Sequence, residues 1–265
     1  MKISILLALA MLLSSISAWA LIGGLAAPKG MFPGQINFRG VEIACGGAVI
    51  GSRHILTAAH CVTGEEKASI YSPGDILQFR YNDDPSYNDD PSNPQQRFLV
   101  FKGTVKKVNI HNSFLQELQK PEISGGFHAA QNMNATDLAV IEFDQKLPVT
   151  QTQTNTLSYI GRSVRLNLTI TGGGCLVDGG SPFSLLRYSE QQGQTDQLGN
   201  IVTSTLGIGN LKATGCFGDS GSPAYQNGKM VGIFRGTSEI QADGHAEKNF
   251  FTVVDKNWIK LILNP

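Results

Sequence analysis

The sequence predicts an all-β protein, and two observations carry the prediction. Runs rich in Val, Ile, Phe and Thr alternate with clusters of turn-forming residues, and the chain holds 30 glycines, the make-up of short strands joined by tight connections. Long stretches of helical periodicity are few.

Residues 1–20 carry a single charge, Lys2, then an apolar run from Ile3 to Leu13, then small residues closing on Ala18-Trp19-Ala20. That order is a secretory signal peptide with an A-x-A cleavage site. The apolar run falls short of the roughly 20 residues a spanning helix needs, and no later segment approaches that length. Cleavage after Ala20 leaves 245 residues, 20 of them basic and 21 acidic, for a net charge of −1. Such a balance speaks against nucleic acid or an anionic membrane as partner. The exported chain, residues 21–265, is expected to be secreted or periplasmic and monomeric.

Strand candidates follow at Val41–Ile50, Ile76–Tyr81, Phe98–Ile110, Leu138–Phe143, Val164–Thr171, Ile201–Leu206 and Lys229–Phe234. In the closing segment Val254, Trp258, Ile259, Leu261 and Ile262 suit one face of a terminal helix. Leu147–Ser158, rich in Thr and Gln, reads as the connection between two β modules, roughly 21–150 and 151–265. The hexapeptide YNDDPS occurs twice in tandem, Tyr81–Ser86 and Tyr87–Ser92. Its four aspartates offer oxygen ligands of the kind calcium takes, but without the spacing of a calcium loop the repeat reads as a duplicated, solvated surface loop. Gln116–Met133 is expected to be a second surface excursion.

Three motifs carry chemistry. CGGAVIGSRHILTAAHC, Cys45–Cys61, ends beside His60; NATDLAVIEFD, Asn134–Asp144, sets Asp137 ahead of an apolar strand; GCFGDSGSP, Gly215–Pro223, sets Ser220 between glycines. Each alone has an ordinary structural reading. No metal-ligand spacing links His54, His111, His128 and His245. The four cysteines, Cys45, Cys61, Cys175 and Cys216, all lie in the exported part and suggest two disulfides, with three pairings open.

Together, in the order His, Asp, Ser, these motifs resemble the chymotrypsin-like (trypsin-like) serine endopeptidases. LIGG at Leu21, LTAAHC, DLAVIEF, GDSG and FFTVVDKNWI extend the resemblance over nearly the whole exported chain. It implies two six-stranded antiparallel β-barrels with a C-terminal helix and an active site in the cleft between them. It implies a peptide or protein substrate and no cofactor or metal. By this resemblance Ser220 is the nucleophile, His60 its base and Asp137 the residue that orients His60. The backbone N–H groups of Gly218 and Ser220 would form the oxyanion hole, with glycine at 218 permitting the turn. The implied disulfides are Cys45–Cys61 and Cys175–Cys216.

Specificity is less determined. Thr214, six before the nucleophile, is expected at the floor of the primary pocket, where its lack of charge argues against a Lys or Arg preference. Arg235 and Thr237 are expected on the pocket wall, where Arg235 would favour an acidic side chain or Thr237 would narrow the mouth. A neutral or small side chain is the preferred expectation. A glutamyl endopeptidase on the same fold is the main alternative, and a protease-like binding protein without turnover is another. The resemblance further implies that the α-amino group of Leu21 pairs with Asp219. The signal-peptide site abuts Leu21 without a spacer, so the export cut is expected to be the activating cut.

Overall fold

The computed structural model describes residues 21–28, 30–39, 44–64, 69–81, 100–148, 156–158, 160–173, 186–207, 212–239 and 246–264. The signal segment, Cys175, His245 and the YNDDPS repeat beyond Tyr81 lie outside the described residues.

Six strands close the first barrel in the order β2-β3-β4-β7-β6-β5: β2 (Gln35–Arg39), β3 (Ala44–Gly51), β4 (His54–Thr57), β5 (Ile76–Tyr81), β6 (Val100–Ile110) and β7 (Ala139–Phe143). All pairings are antiparallel. Ile36, Phe38, Val49, Ile55, Phe79 and Phe143 fill the interior. Gly103 lets β6 pass close over that interior, because a Cβ there would lie 2.4 Å from the Phe143 ring.

The second barrel contains β8 (Arg165–Gly172), β9 (Arg187–Thr195), β10 (Asn200–Gly207), β11 (Pro223–Gln226), β12 (Lys229–Thr237) and β13 (Lys248–Val253). Its order β9-β10-β13-β12-β11-β8 closes through the β8–β9 pairing. In β8 the alternation of RLNLTITG sends Leu166, Leu168 and Ile170 inward, and Arg165 and Asn167 outward. They meet Ile201, Val231, Phe234 and Phe251 in a second core.

The two modules exchange ends. The strand β1 (Leu25–Ala26), which precedes the first barrel in sequence, pairs with β9 of the second. The terminal helix, here α3 (Lys256–Leu263), returns to the first barrel, where Ile259 and Trp258 pack on its core. The Asp255 carboxylate caps this helix, accepting the Trp258 N–H at 3.0 Å. The strands of the first barrel end at Phe143 and those of the second begin at Arg165, while β1 and α3 each cross to the other barrel.

Gln116–Met133 is no mere excursion. After α1 (Asn112–Leu118), it carries the short helix α2 (Gly126–Gln131), whose Ala129 and Ala130 are buried. Gly126 sits so close to Thr63 that a Cβ would fall 2.0 Å from its Oγ1. The pattern GGFHAAQ, small residues flanking one aromatic, is the sequence signal for this close packing.

Candidate active site

Register brings His60 to Asp137. Strands β4 and β7 pair with Thr57 opposite Ala139, so two residues beyond the ladder the chain positions next to His60 and Asp137 face each other. A short 3-10 helix, Ala59–Cys61, turns His60 inward, and the Cys45–Cys61 disulfide fastens it to β3 with Cα atoms 6.2 Å apart. Asp137 is fully buried and bonds His60 twice: Oδ1 accepts the backbone N–H at 2.9 Å, and Oδ2 lies 2.7 Å from ring Nδ1. Burial alone would raise the Asp137 carboxyl. The charge and hydrogen bonds of His60, with the Arg235 cation nearby, outweigh burial and hold the carboxyl below its ordinary value.

The Ser220 loop is pressed onto the first barrel. Gly46 N–H donates to Ser220 O at 2.6 Å. Ala or larger at Gly46 would set a Cβ 2.2 Å from Ser222 Oγ, and at Gly221, with φ +85°, 2.2 Å from Gly46 O. The glycines of CGGAVIG and GDSG are thus the two halves of one close approach between barrels. Gly218 has φ +99°, and among the described residues the N–H groups of Gly218 and Ser220 donate to no protein acceptor. Both remain free for a ligand. Among the described residues no hydrogen bond joins Ser220 Oγ to His60 Nε2. Cys216 is disulfide-bonded; Cys175, its expected partner, lies outside the described residues.

Behind this loop, Leu21 is 2% exposed and its backbone nitrogen donates to Asp219 Oδ2 at 3.2 Å. Cys216 N–H reaches the same oxygen at 3.0 Å. Gly172 makes room for the carboxylate, since a Cβ there would lie 2.3 Å from Asp219 Oδ1.

The specificity candidates fall differently from expectation. Thr214 is fully buried, bridged to Ile22, and lines no part of the cleft beside Ser220. Gly215, Phe234 and Phe250 line that cleft instead. Behind Gly215 lies a buried amide network that sequence reasoning missed. Asn249 Oδ1 accepts Gly215 N–H at 2.9 Å, and its Nδ2 donates to Gln191 Oε1 at 3.0 Å and Ala213 O at 3.1 Å. Thr237 lines the cleft.

Arg235 also borders the cleft, but its guanidinium is turned away from it. Nε and Nη2 donate to Ala130 O, Nη2 also to Asn132 O, and Nη1 to Ala135 O and Asn200 Oδ1, at 2.7 to 3.0 Å. Five bonds use all five N–H groups of an arginine. Nothing is left for a substrate carboxylate, which corrects the expectation of an acid-seeking wall. Phe127 of α2 meets the His60 ring edge-on, centroids 6.3 Å apart.

Comparison with known proteins agrees with this arrangement. The family model for trypsin matches residues 21–259. Chymotrypsin-2 of Vespa crabro is 30% identical over 227 residues, spanning 80% of this chain and 86% of that protein. Serine protease SP24D of Anopheles gambiae is 27% identical over 260 residues, 91% of this chain and 80% of the relative. Among solved structures, mouse neuropsin superposes with a TM-score of 0.63 at 20% identity, covering 91% of this chain and 99% of neuropsin. Human heparin binding protein does so with a TM-score of 0.58 at 20% identity, covering 92% and 97%. The solved structures speak for the fold alone; the family model and the Vespa crabro enzyme make this chain a member of the trypsin family of serine endopeptidases.

Proposed function

We propose that the protein is exported and cleaves peptide bonds through a Ser220-His60-Asp137 triad and an acyl-enzyme. The observation that carries this reading is the pair of hydrogen bonds between His60 and a fully buried Asp137, 2.9 Å from the backbone N–H and 2.7 Å from ring Nδ1. A carboxylate at Nδ1 keeps the proton there, leaving Nε2 free to act as base. Ser220 Oγ, once rotated within reach of Nε2, would attack the scissile carbonyl as His60 takes its proton. The carbonyl oxygen, now anionic, would be met by the free N–H groups of Gly218 and Ser220. Collapse expels the amine, protonated by His60, and leaves the acyl-enzyme. Water activated by His60 then releases the acid.

A fluorophosphonate probe, which phosphonylates only an activated serine, tests this directly. Wild type should label stoichiometrically and Ser220→Ala not at all. A folded wild type that stays unlabelled, or a Ser220→Ala protein that labels equally, refutes the triad. The unmade Ser220–His60 bond gives the binding-protein reading its one point of support, and the same outcome would favour it. The committed guanidinium of Arg235 gives a glutamyl preference none.

We also propose that cleavage before Leu21, by signal peptidase at the A-x-A site, converts the Leu21 nitrogen into an ammonium for Asp219. The 3.2 Å contact supports this pairing. N-terminal sequencing of the active protein checks it: a start other than Leu21 removes the idea.

A further inference from the structure

Beside Ser220 lies a cavity of about 390 Å³. One wall is α2 and the turn after it, with Phe127 and Met133; the other is Phe217, Phe234 and Phe250 of the second barrel. Phe127 and Phe217 stay 50% and 57% exposed, so large aromatic surface stands uncovered on both sides of the nucleophile. Among the described residues the only ionisable charge on the lining is Arg235, whose five N–H groups are bound to the carbonyls of 130, 132 and 135 and to Asn200. Asn200 Nδ2 adds a bond to Met133 O at 2.9 Å. The second barrel thus binds four main-chain carbonyls, those of residues 130, 132, 133 and 135, in the segment that follows Phe127.

We propose that this cavity is an apolar specificity pocket that takes a large apolar side chain of the peptide substrate. Phe127 is a specificity-determining residue, and Arg235 is a positioning residue that acts through the 130–135 segment. The inference rests on the endopeptidase reading, because the side chain is placed by the carbonyl that Ser220 attacks. Entry of such a side chain covers Phe127 and Phe217 and releases their hydration. An acidic side chain would be desolvated there without a donor to meet it. Arg235 cannot supply one without breaking its bonds to the wall.

The test has two arms on the protein as cleaved before Leu21. Fluorophosphonate labelling reports the serine without needing the pocket, and profiling with a peptide library reports the pocket. Phe, Leu, Met or Tyr should be enriched over Glu, Lys and Gly at the scissile carbonyl by roughly 10- to 100-fold in kcat/KM, as burial of one such side chain implies. Phe127→Ala, a change at a half-exposed position, should cut that preference about tenfold. Arg235→Lys keeps a charge but offers three donors instead of five; it should raise KM for apolar substrates more than it lowers kcat. Labelling with a flat or acidic profile, or an apolar preference untouched by Phe127→Ala, overturns the pocket while leaving the endopeptidase reading intact. Absence of labelling overturns both.

Discussion

Replacing Gly172 with alanine places a methyl carbon 2.3 Å from Asp219 Oδ1 and 2.7 Å from its Cγ, more than an ångström inside ordinary contact. Two responses are open. Either β8 and the loop shift together, an overpacking strain of about 1–3 kcal/mol, or the carboxylate leaves its site. Leaving gives up the bonds from Leu21 N at 3.2 Å and Cys216 N at 3.0 Å, each a hydrogen bond to a charged group and each worth about 1.5–3 kcal/mol. Strain is the cheaper course, so the expected loss is about 3 kcal/mol at most, a fall in Tm of roughly 6–12 °C for a chain of this size. The functional loss is larger. A displaced Asp219 moves the adjacent N–H of Ser220, and loss of one oxyanion donor costs about 10²- to 10³-fold in rate. Thermal unfolding and the rate of fluorophosphonate labelling measure the two effects. Gly161→Ala, whose Cβ would meet only Val164 at 3.5 Å, is the control. A Gly172→Ala protein that labels within twofold of wild type would show that Asp219 does not order the Ser220 loop.

Replacing Cys45 and Cys61 together by alanine should cost about 3 kcal/mol, the loop entropy of a bridge across 16 residues, and should slow labelling by loosening the 3-10 helix under His60; unfolding in urea reads the first. Asp255→Ala removes the cap of α3 and the partner of His111, 3.5 Å away, and should cost about 0.5–2 kcal/mol without changing labelling. The Asp137 carboxyl is held below its ordinary 3.8 in the fold. Its contribution is therefore complete above that ordinary, unfolded value and is lost as pH falls through the lower native one. Urea midpoints between pH 6 and pH 3 should fall with acid, and Asp137→Asn should flatten that part of the slope while lowering the rate about 10⁴-fold.

Many of the strands were legible because local chemistry announces them, whereas the closure into two barrels and the roles of His60, Asp137 and Ser220 came from the resemblance of their flanking motifs. Ile76–Tyr81 is a strand in both readings, its aromatic and aliphatic residues fixing the period. The flanks of His60, Asp137 and Ser220 are short, glycine-marked or apolar, and demanding. The weaker strands β9 and β11 were not legible: RYSEQQGQT has scarcely an apolar residue, and becomes a strand because β8 and β10 pair with both its edges. Arg235 failed for a related reason. A cation next to a cleft suggests an anionic guest, and only the tertiary path of residues 130–135 reveals five acceptors already in place. Asn249 and Gln191 gave no signal at all, since buried amides acquire meaning only from one another.

The contact between Leu21 and Asp219 leads to a final prediction, since geometry and charge separate there. When chain runs on ahead of Leu21, its nitrogen is a neutral amide with one hydrogen, and that hydrogen already points at Asp219 Oδ2. Cleavage would leave the position unchanged and add a charge. A buried carboxylate facing a neutral donor is incompletely matched; the gain from an ammonium is the attraction of a second full charge less the cost of burying it, on the order of 1–2 kcal/mol. That corresponds to roughly 5- to 30-fold in the population of the ordered loop, a graded switch. Labelling rates of a protein starting at Leu21 and of one carrying a single extra residue should differ by that factor. Asp219→Asn should reverse the order of costs, lowering the rate of the Leu21-starting protein more than that of its extended counterpart, because asparagine matches an amide better than an ammonium. Equal costs in both backgrounds would mean that charge at Leu21 plays no part, and that position alone holds the Ser220 loop.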